Sequence, residues 1–194
     1  MRPDQSNALE LLLTRRSVPA LQLREPGPTQ EQIDAAIAAA LRAPDHGNLK
    51  PWRCVLIRGA ARAKLSELLS SRLQQREPST PAPKVEKARN MPLAAPLVIA
   101  IAARVRRDHK VPEIEQLLSV GAGTMNLLNA FHAQGFGAIW LTGGNAYDPQ
   151  IAAALGFPPE ERCLGFVYVG SGEPAPGLGP PQVEQSAHVR DWSA

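Results

Sequence analysis

The sequence predicts one domain that combines helices with a small β-sheet, arranged as an α/β or α+β sandwich. The chain has 194 residues, a length that suits one domain able to bury a core without metal or disulfide bonds. Short apolar segments with the composition of strands alternate with segments whose apolar residues recur at helical spacing. This pattern leaves the order and the directions of the strands open.

Helices are predicted at five places along the chain. Thr29 and Gln32 have the spacing of a capping box, and Pro44 requires the helix that follows them to end near residue 43. Asp148 is predicted to cap the last helix, with Pro149 at its favoured first position. The predicted helices cover residues 7–14, 30–43, 60–76, 113–134 and 149–155.

Strands are predicted where short apolar runs are rich in β-branched residues. They cover residues 53–58, 97–103, 138–142 and 162–170. Cys54 and Cys163 lie within the first and last of these runs, far apart in the sequence. We therefore expect buried free thiols and a protein of the reducing cytoplasm.

Two segments rich in proline are predicted to be irregular. Residues 77–92 contain four prolines and are expected to form a long connection that either covers the molecule or packs on a neighbour. Residues 1–172 are predicted to form the domain, and residues 173–194 to form a tail rich in proline and glycine. We expect Trp192 to dock the end of this tail.

The longest predicted helix, residues 113–134, is apolar around much of its circumference. Its opposite side, which includes Val120, Leu127 and Ala130, is hardly polar. Such a helix is buried on several sides, which predicts a central helix at a contact between two subunits. Its apolar stripe comprises Ile114, Leu117, Leu118, Gly121, Met125, Leu128, Phe131 and His132.

Several classes of function are excluded by the composition. The formal net charge is only +3 and the cations are scattered, which argues against a nucleic-acid-binding protein. The most apolar run, residues 94–103, is about half as long as a membrane span, so no membrane is expected. No CxxC or HxxxH pair is present, so we expect no metal. Gly121 and Gly123 lie within a helix, which indicates close helix packing rather than a dinucleotide-binding turn.

Side chains that suit an anionic ligand gather in three segments. Paired arginines and a hydroxyl group can bind a phosphate through charge-assisted hydrogen bonds. The alternatives are a solvated helix end for the arginines, a surface or capping role for the histidine, and a core position for the tryptophan. The candidates are Arg15, Arg16 and Ser17, then Arg42, His46, Asn48 and Lys50, then Trp140, Leu141 and Thr142.

Six segments, in the same order, resemble a compact branch of the FMN-dependent nitroreductase family. Together they cover roughly residues 8–172, and the Arg-Arg-Ser and Ala-Pro-Asp-His pieces are the most distinctive. The segments are LELLLTRRS (9–17), LRAPDHGNLKPW (41–52), VEKARNMPLAAPLVIAIAA (85–103), HKVPEIEQLLSVGAG (109–123), AQGFGAIWLTG (133–143) and LGFVYVG (164–170). This resemblance implies an α+β nitroreductase-like fold, with a mostly antiparallel central sheet flanked by helices, and a homodimer with FMN at its interface.

The resemblance also implies roles for individual residues. Arg15, Arg16 and Ser17 would contact the phosphate and ribityl end of FMN. Arg42, His46 and Asn48 would bind the cofactor too, with Arg42 and His46 coming from the same chain or the partner. Trp140, Leu141 and Thr142 would line the flavin. Residues 130–135 match a stretch associated with the nicotinamide cofactor. No catalytic acid or base is assigned, because the flavin itself performs the hydride transfer.

The implied activity is that of an FMN-dependent NAD(P)H oxidoreductase. Hydride would pass from NADH or NADPH to FMN, and then to a small-molecule electron acceptor of the nitroaromatic or quinone class, in a ping-pong cycle. The alternatives are a module that binds or stores flavin and a different flavin reductase on the same scaffold.

Two positions depart from the family pattern. Lys50 replaces a glutamine, and Leu141 with Thr142 replaces an Arg-Ser pair, which removes a cation. Our hypothesis is that Arg42 and Lys50 compensate for that loss.

Overall fold

The computed structural model describes residues 5–173 and 183–192. They form a four-stranded sheet in the order β1-β2-β4-β3, and every neighbouring pair of strands is antiparallel. The strands are β1 (Trp52–Arg58), β2 (Leu97–Arg104), β3 (Gly137–Leu141) and β4 (Glu161–Gly170). The antiparallel pairing confirms the α+β class and decides between the two arrangements that the pattern left open.

Helices cover both faces of this sheet. One face packs against α2 and α5, the other against α3 and α6, while α4 packs on α3. Within the described ranges, no helix is both long and apolar enough to cross a membrane. The helices are α1 (Gln5–Thr14), α2 (Gln30–Ala40), α3 (Ala61–Arg76), α4 (Ala82–Ala94), α5 (Glu113–Ala133) and α6 (Pro149–Ala154).

The core is organised around β2, which lies between β1 and β4 and is buried on both faces. Successive side chains of a strand point to opposite faces. Ile99 and Ile101 accordingly pack beneath α2 and α5, whereas Val98 and Ala100 pack beneath α3 and α6. This explains why the β2 sequence is apolar throughout rather than alternating.

The predicted helix caps are confirmed. The Thr29 backbone N–H donates to Gln32 Oε1 at 2.9 Å, and the Gln32 N–H donates to Thr29 Oγ1 at 3.3 Å. The Gln150 N–H donates to Asp148 Oδ1 at 2.9 Å, with Pro149 in the first turn of α6. Gly123 provides the expected close packing, because a Cβ there would lie 2.9 Å from Trp52 Nε1.

The expectation of an irregular connection over residues 77–92 is wrong, because α4 occupies most of that segment. Pro81 precedes the helix, and Pro83 lies in its first turn, where the backbone N–H would lack a helical partner in any case. Pro92 comes near the end of the helix. Val85 and Ala88 are buried against Leu73 of α3 and stabilise α4 there.

Only part of the predicted apolar stripe of α5 faces the core of this chain, where Leu128 and Phe131 are buried. Val120 and Leu127 are buried against the sheet, although they were assigned to the opposite side. Ile114, Leu118 and Met125 are 60%, 63% and 40% exposed. A helix that is apolar all round gives no sequence signal for the side that meets the sheet.

Two further expectations are corrected. Trp192 is 93% exposed, so it does not dock the tail onto this chain; residues 174–182 and 193–194 of the tail lie outside the described residues. Cys163 is buried, but Cys54 is exposed because β1 is an edge strand of the sheet.

Candidate functional site

Arg15, Arg16 and Ser17 lie where α1 ends, beside the C-terminal end of α5. Thr14 Oγ1 is 3.2 Å from His132 Nε2 on α5. The chain then runs along the outer edge of β3, where Ser17 pairs with Ala138 and the Val18 N–H donates to the Ala138 carbonyl at 3.1 Å. The helix end and the strand edge together fix this segment, which we call the Arg15 cluster (Arg15, Arg16, Ser17 and His132).

Positive charge in the Arg15 cluster is not neutralised by the part of the chain that the structure describes. Within the described ranges, the buried Nε of Arg15 has no hydrogen-bond partner, and no carboxylate lies within 4.0 Å of Arg15 or Arg16. A buried donor on a charged group is unfavourable when it stays unpaired. The cluster therefore has the chemistry of a site for an anionic group such as a phosphate.

Two polar residues of α5 were not found as candidates from the sequence. Asn129 lies one turn before His132 on α5, and its Oδ1 is buried without a hydrogen-bond partner among the described residues. Burial, and secondly the charge of Arg15, lowers the pKa of His132 below its ordinary value. The surroundings of the imidazole therefore disfavour its protonated, cationic form.

The end of β3 is shaped by a bulge in its partner strand. Register between β2 and β4 shifts at Ile101, and the carbonyl of Leu164 accepts a hydrogen bond from Trp140 Nε1 at 3.1 Å. The neighbouring Gly165 has φ +127°, and a Cβ there would lie 2.5 Å from the Leu141 carbonyl oxygen. Only glycine fits this position without a shift of the backbone.

The three candidates at the end of β3 are placed differently. Trp140 is half-buried and packs with the core beneath α5, while Leu141 packs with the core beneath α3 and α6. Both side chains thus serve packing in this chain. Thr142 is exposed, and Gly143 with φ +92° begins the turn that follows it. The open surface at the end of β3 is therefore Thr142 and the backbone around it.

The buried carboxylate of Asp148 stabilises the turn that follows β3. Asp148 Oδ2 accepts hydrogen bonds from Arg72 Nε at 2.9 Å and from Arg76 Nη1 at 2.6 Å, and Arg76 Nη2 donates to Asn145 Oδ1 at 2.7 Å. Burial acts to raise the pKa of Asp148, but the hydrogen bonds from the two arginines outweigh it and lower that pKa to about 2. Arg72 and Arg76 are one turn apart on α3, yet nothing in the sequence connects them with Asp148.

The second group of candidates lies in the loop between α2 and β1, residues 41–51, which we call the cationic loop. Its backbone is held by α5, because Ser119 Oγ donates to the Pro44 carbonyl at 2.7 Å and Trp52 Nε1 donates to the Ser119 carbonyl at 3.1 Å. The cleft beside it has a volume of about 540 Å³. It is lined by Leu41, Arg42, Ala43, Asp45, Asn48, Lys50, Trp52 and Arg53.

The cationic loop adopts an unusual backbone conformation. Gly47, Asn48 and Lys50 all have positive φ values, of 75°, 53° and 51°. For a lysine this conformation is strained. The strain is compensated by a hydrogen bond that the Lys50 backbone N–H donates to Asp45 Oδ2 at 2.7 Å. His46 Nδ1 lies 2.6 Å from Glu115 Oε2 on α5. The loop thus presents Arg42 and Lys50 from a fixed backbone.

The two groups of candidates contact α5 at different places. His46 of the cationic loop contacts Glu115 near the beginning of α5, whereas the Arg15 cluster contains His132 at its end. At about 1.5 Å per residue, these two contacts are about 26 Å apart along the helix. The exposed side chains of Leu118 and Met125 lie on α5 between these two contacts, and that of Ile114 lies next to the first contact.

Comparison with known proteins shows the family of the chain. The model of the nitroreductase family matches residues 12–171. YdjA of Escherichia coli strain K12, which carries a provisional NAD(P)H nitroreductase name, is 39% identical over 165 residues, covering 85% of this chain and 88% of the relative. A Haemophilus influenzae protein with a similar provisional name is 35% identical over 167 residues, covering 86% and 89%.

Solved structures show the same fold. A nitroreductase-like family protein from Bacillus cereus superimposes with a TM-score of 0.83 at 20% identity, covering 96% of each chain. The FMN-dependent nitroreductase NfnB from Mycobacterium smegmatis, solved with NADPH, superimposes with a TM-score of 0.77 at 20% identity, covering 98% of this chain and all of the other.

Proposed function

The chain belongs to the nitroreductase family, and on that premise we propose that it is an FMN-dependent NAD(P)H oxidoreductase whose flavin sites are each built by two copies of the chain. The names of the relatives and the FMN-dependent neighbour support this activity. The observation on this chain that carries the proposal is the buried Nε of Arg15, which has no hydrogen-bond partner among the described residues. Arg16 follows it and has no described carboxylate within 4.0 Å.

In this proposal the Arg15 cluster holds the phosphate of FMN. Guanidinium groups match phosphate oxygens in geometry and bind them through charge-assisted hydrogen bonds. The hydroxyl group of Ser17 adds a donor at the same edge of β3. When bound, FMN accepts a hydride from NADH or NADPH and passes electrons to a nitroaromatic or quinone-like acceptor.

The second chain supplies the cationic loop. The contacts of His46 and His132, which mark the two groups, lie about 26 Å apart along α5, so in this proposal one chain does not supply both groups to one mononucleotide. In a two-fold dimer the same surface of both subunits meets. If two copies of α5 pack antiparallel through Ile114, Leu118 and Met125, the beginning of one helix lies beside the end of the other. The cationic loop of each subunit then reaches the Arg15 cluster of its partner.

In this arrangement the positive charges of the cationic loop act on the flavin. The charged side-chain nitrogens of Arg42 and Lys50, like those of the arginines in the Arg15 cluster, lie more than 4.0 Å from every carboxylate that the structure describes. Their charge favours the anionic reduced flavin and replaces the cation that Leu141 and Thr142 do not provide. Water is excluded by the apolar side chains of α5, which strengthens these interactions.

The visible absorbance spectrum of the purified protein tests the activity. We expect a flavin spectrum that is bleached by NADH or NADPH without oxygen and restored by a nitroaromatic compound or a quinone. Bleaching without reoxidation by either acceptor would favour a different flavin reductase. A flavin spectrum that neither nucleotide bleaches would favour a binding or storage module, and a protein that binds no FMN would refute the proposal.

Substitution of Arg15 tests the phosphate site. Arg15→Ala is expected to weaken FMN binding by about 10- to 100-fold, the effect of losing one charged hydrogen bond. Arg24→Ala is a matched control, because Arg24 is exposed and lies outside the cluster. Titration of the apoproteins with FMN measures the difference, and equal affinities in the two variants would contradict the assignment. Circular dichroism verifies that each variant is folded.

A further inference from the structure

A second basic loop connects β2 with α5 and has no role in the proposed flavin site. Its cations are Arg104 at the end of β2, then Arg106, Arg107 and Lys110, and all of them are exposed. The loop contains one acidic residue, Asp108. Within residues 5–173 and 183–192, no carboxylate lies within 4.0 Å of any of these cations. The loop therefore presents unneutralised positive charge.

The backbone of this basic loop is held rigid by a buried glutamine. Gln116, 2% exposed, accepts from the Arg106 N–H at 2.9 Å through Oε1. Its Nε2 donates to the carbonyls of Arg106 and Val111, both at 3.0 Å. Burying an amide is favourable only when its donors and acceptor are paired, as they are here. Both backbone polar groups of Arg106 are thereby fixed, which reduces the entropy lost when its side chain binds a ligand.

The basic loop also lies against the cationic loop. A Cβ on Gly47 would lie 3.2 Å from Val111 Cγ2 and 3.7 Å from His109 Cε1. The basic loop is therefore in contact with the cationic loop through Val111 and His109. On its other side, Arg107 lines a cavity of about 460 Å³ together with Tyr147 and Phe157.

We propose that the basic loop binds the 2′-phosphate of NADPH through Arg106 and Arg107 and thereby selects NADPH over NADH. This inference rests on the proposed function. The two nucleotides differ only in that phosphate, which is remote from the nicotinamide, so their discrimination requires cations outside the group that holds the flavin. Exposed arginines in a loop that has a fixed backbone and contacts the cationic loop meet this requirement.

Binding of nucleotide fragments by the flavin-loaded protein tests the proposal without turnover. We expect 2′,5′-ADP to bind at least about tenfold more tightly than 5′-AMP in calorimetry, the scale of a charge-assisted contact. The double variant Arg106→Ala, Arg107→Ala is expected to bind both fragments with nearly equal affinity. The control variant Arg58→Ala, Lys64→Ala loses the same charge at the other end of β1 and on α3, and is expected to keep the difference.

Steady-state kinetics and FMN affinity distinguish binding of the NADPH 2′-phosphate by these arginines from binding of the FMN phosphate. In the Arg106→Ala, Arg107→Ala variant, kcat/KM is expected to fall about tenfold for NADPH and to stay unchanged for NADH. FMN affinity is expected to stay unchanged, whereas its loss would assign these arginines to the flavin phosphate and overturn the proposal. Equal affinity of the wild-type protein for both fragments would also overturn it. If the fragments differ in affinity but neither nucleotide bleaches the flavin, the phosphate site stands and the oxidoreductase function fails.

Discussion

Replacement of Leu118 by alanine should weaken the dimer without unfolding the chain. Leu118 is 63% exposed on α5 and lies midway along the surface that we assign to the subunit contact. Complete burial of a leucine side chain contributes about 1.5–3 kcal/mol, so burial of its exposed part contributes about 1–2 kcal/mol. Because a two-fold interface contains the residue twice, the loss is about 2–4 kcal/mol, which corresponds to a dissociation constant raised about 30- to 700-fold.

Sedimentation velocity over a dilution series measures this effect. Leu93→Ala is the matched control, because Leu93 is 46% exposed on α4 and lies outside the proposed interface. We expect Leu118→Ala to dissociate at concentrations at which the wild-type protein and Leu93→Ala remain dimeric. Thermal unfolding of the separated subunits should be unaffected, since Leu118 is already exposed in one chain. A wild-type monomer, or equal dimer stability in all three proteins, would refute the reasoning.

Three further predictions concern the supports of the site. Asp148→Asn should lower the free energy of unfolding, measured in urea at neutral pH, by about 3 kcal/mol, because it leaves two guanidinium groups poorly paired. Folding lowers the Asp148 pKa from 3.8 to about 2, so the difference between the two proteins should disappear as the pH falls through that interval. A difference that stays constant with pH would contradict the pairing. Burial and the charge of Arg15 lower the His132 pKa, so protonation of His132 opposes folding. The stability of the wild-type protein should therefore fall as the pH drops below 6.5, and His132→Asn should lose that dependence. An identical pH profile of stability in both proteins would count against this role of His132. Gly165→Ala should destabilise the protein more than Gly59→Ala, because both glycines have positive φ but only at Gly165 would a Cβ lie 2.5 Å from another atom; equal melting temperatures would argue against the clash.

Local sequence signals predicted local structure well. The capping box of Thr29 and Gln32 and the cap at Asp148 need only neighbouring residues, and both are present. The arginines that bind Asp148 are more than 70 residues away, so its role as a buried ionic centre could not be predicted from the sequence.

The errors have a common physical cause in tertiary packing. Proline suggested an irregular segment at residues 77–92, but burial of Val85 and Ala88 against α3 stabilises a helix whose prolines avoid its middle turns. On α5, periodicity identified an apolar helix but not the side that meets the sheet. The exposed set of Ile114, Leu118 and Met125 became visible only when the sheet was in place.

The sequence predicted which residues belong to the candidate site, but not where they lie relative to one another in the fold. The resemblance named both the arginines after α1 and the loop after α2, and left open whether Arg42 and His46 come from the same chain. The length of α5 separates the two groups in one chain, which is why we assign them to different subunits of one site.

A mixed dimer tests the two-subunit site most directly. Arg15→Ala and Arg42→Ala chains carrying different affinity tags are co-expressed, and the heterodimer is purified through both tags. If each flavin contacts Arg15 of one chain and Arg42 of the other, one site of the heterodimer is intact and the other lacks both arginines. We expect one tightly bound FMN per heterodimer, two per wild-type dimer, and none in either variant homodimer. A heterodimer that binds FMN as weakly as the two variant homodimers at both sites would show that Arg15 and Arg42 act within the same chain, or that they do not bind FMN together.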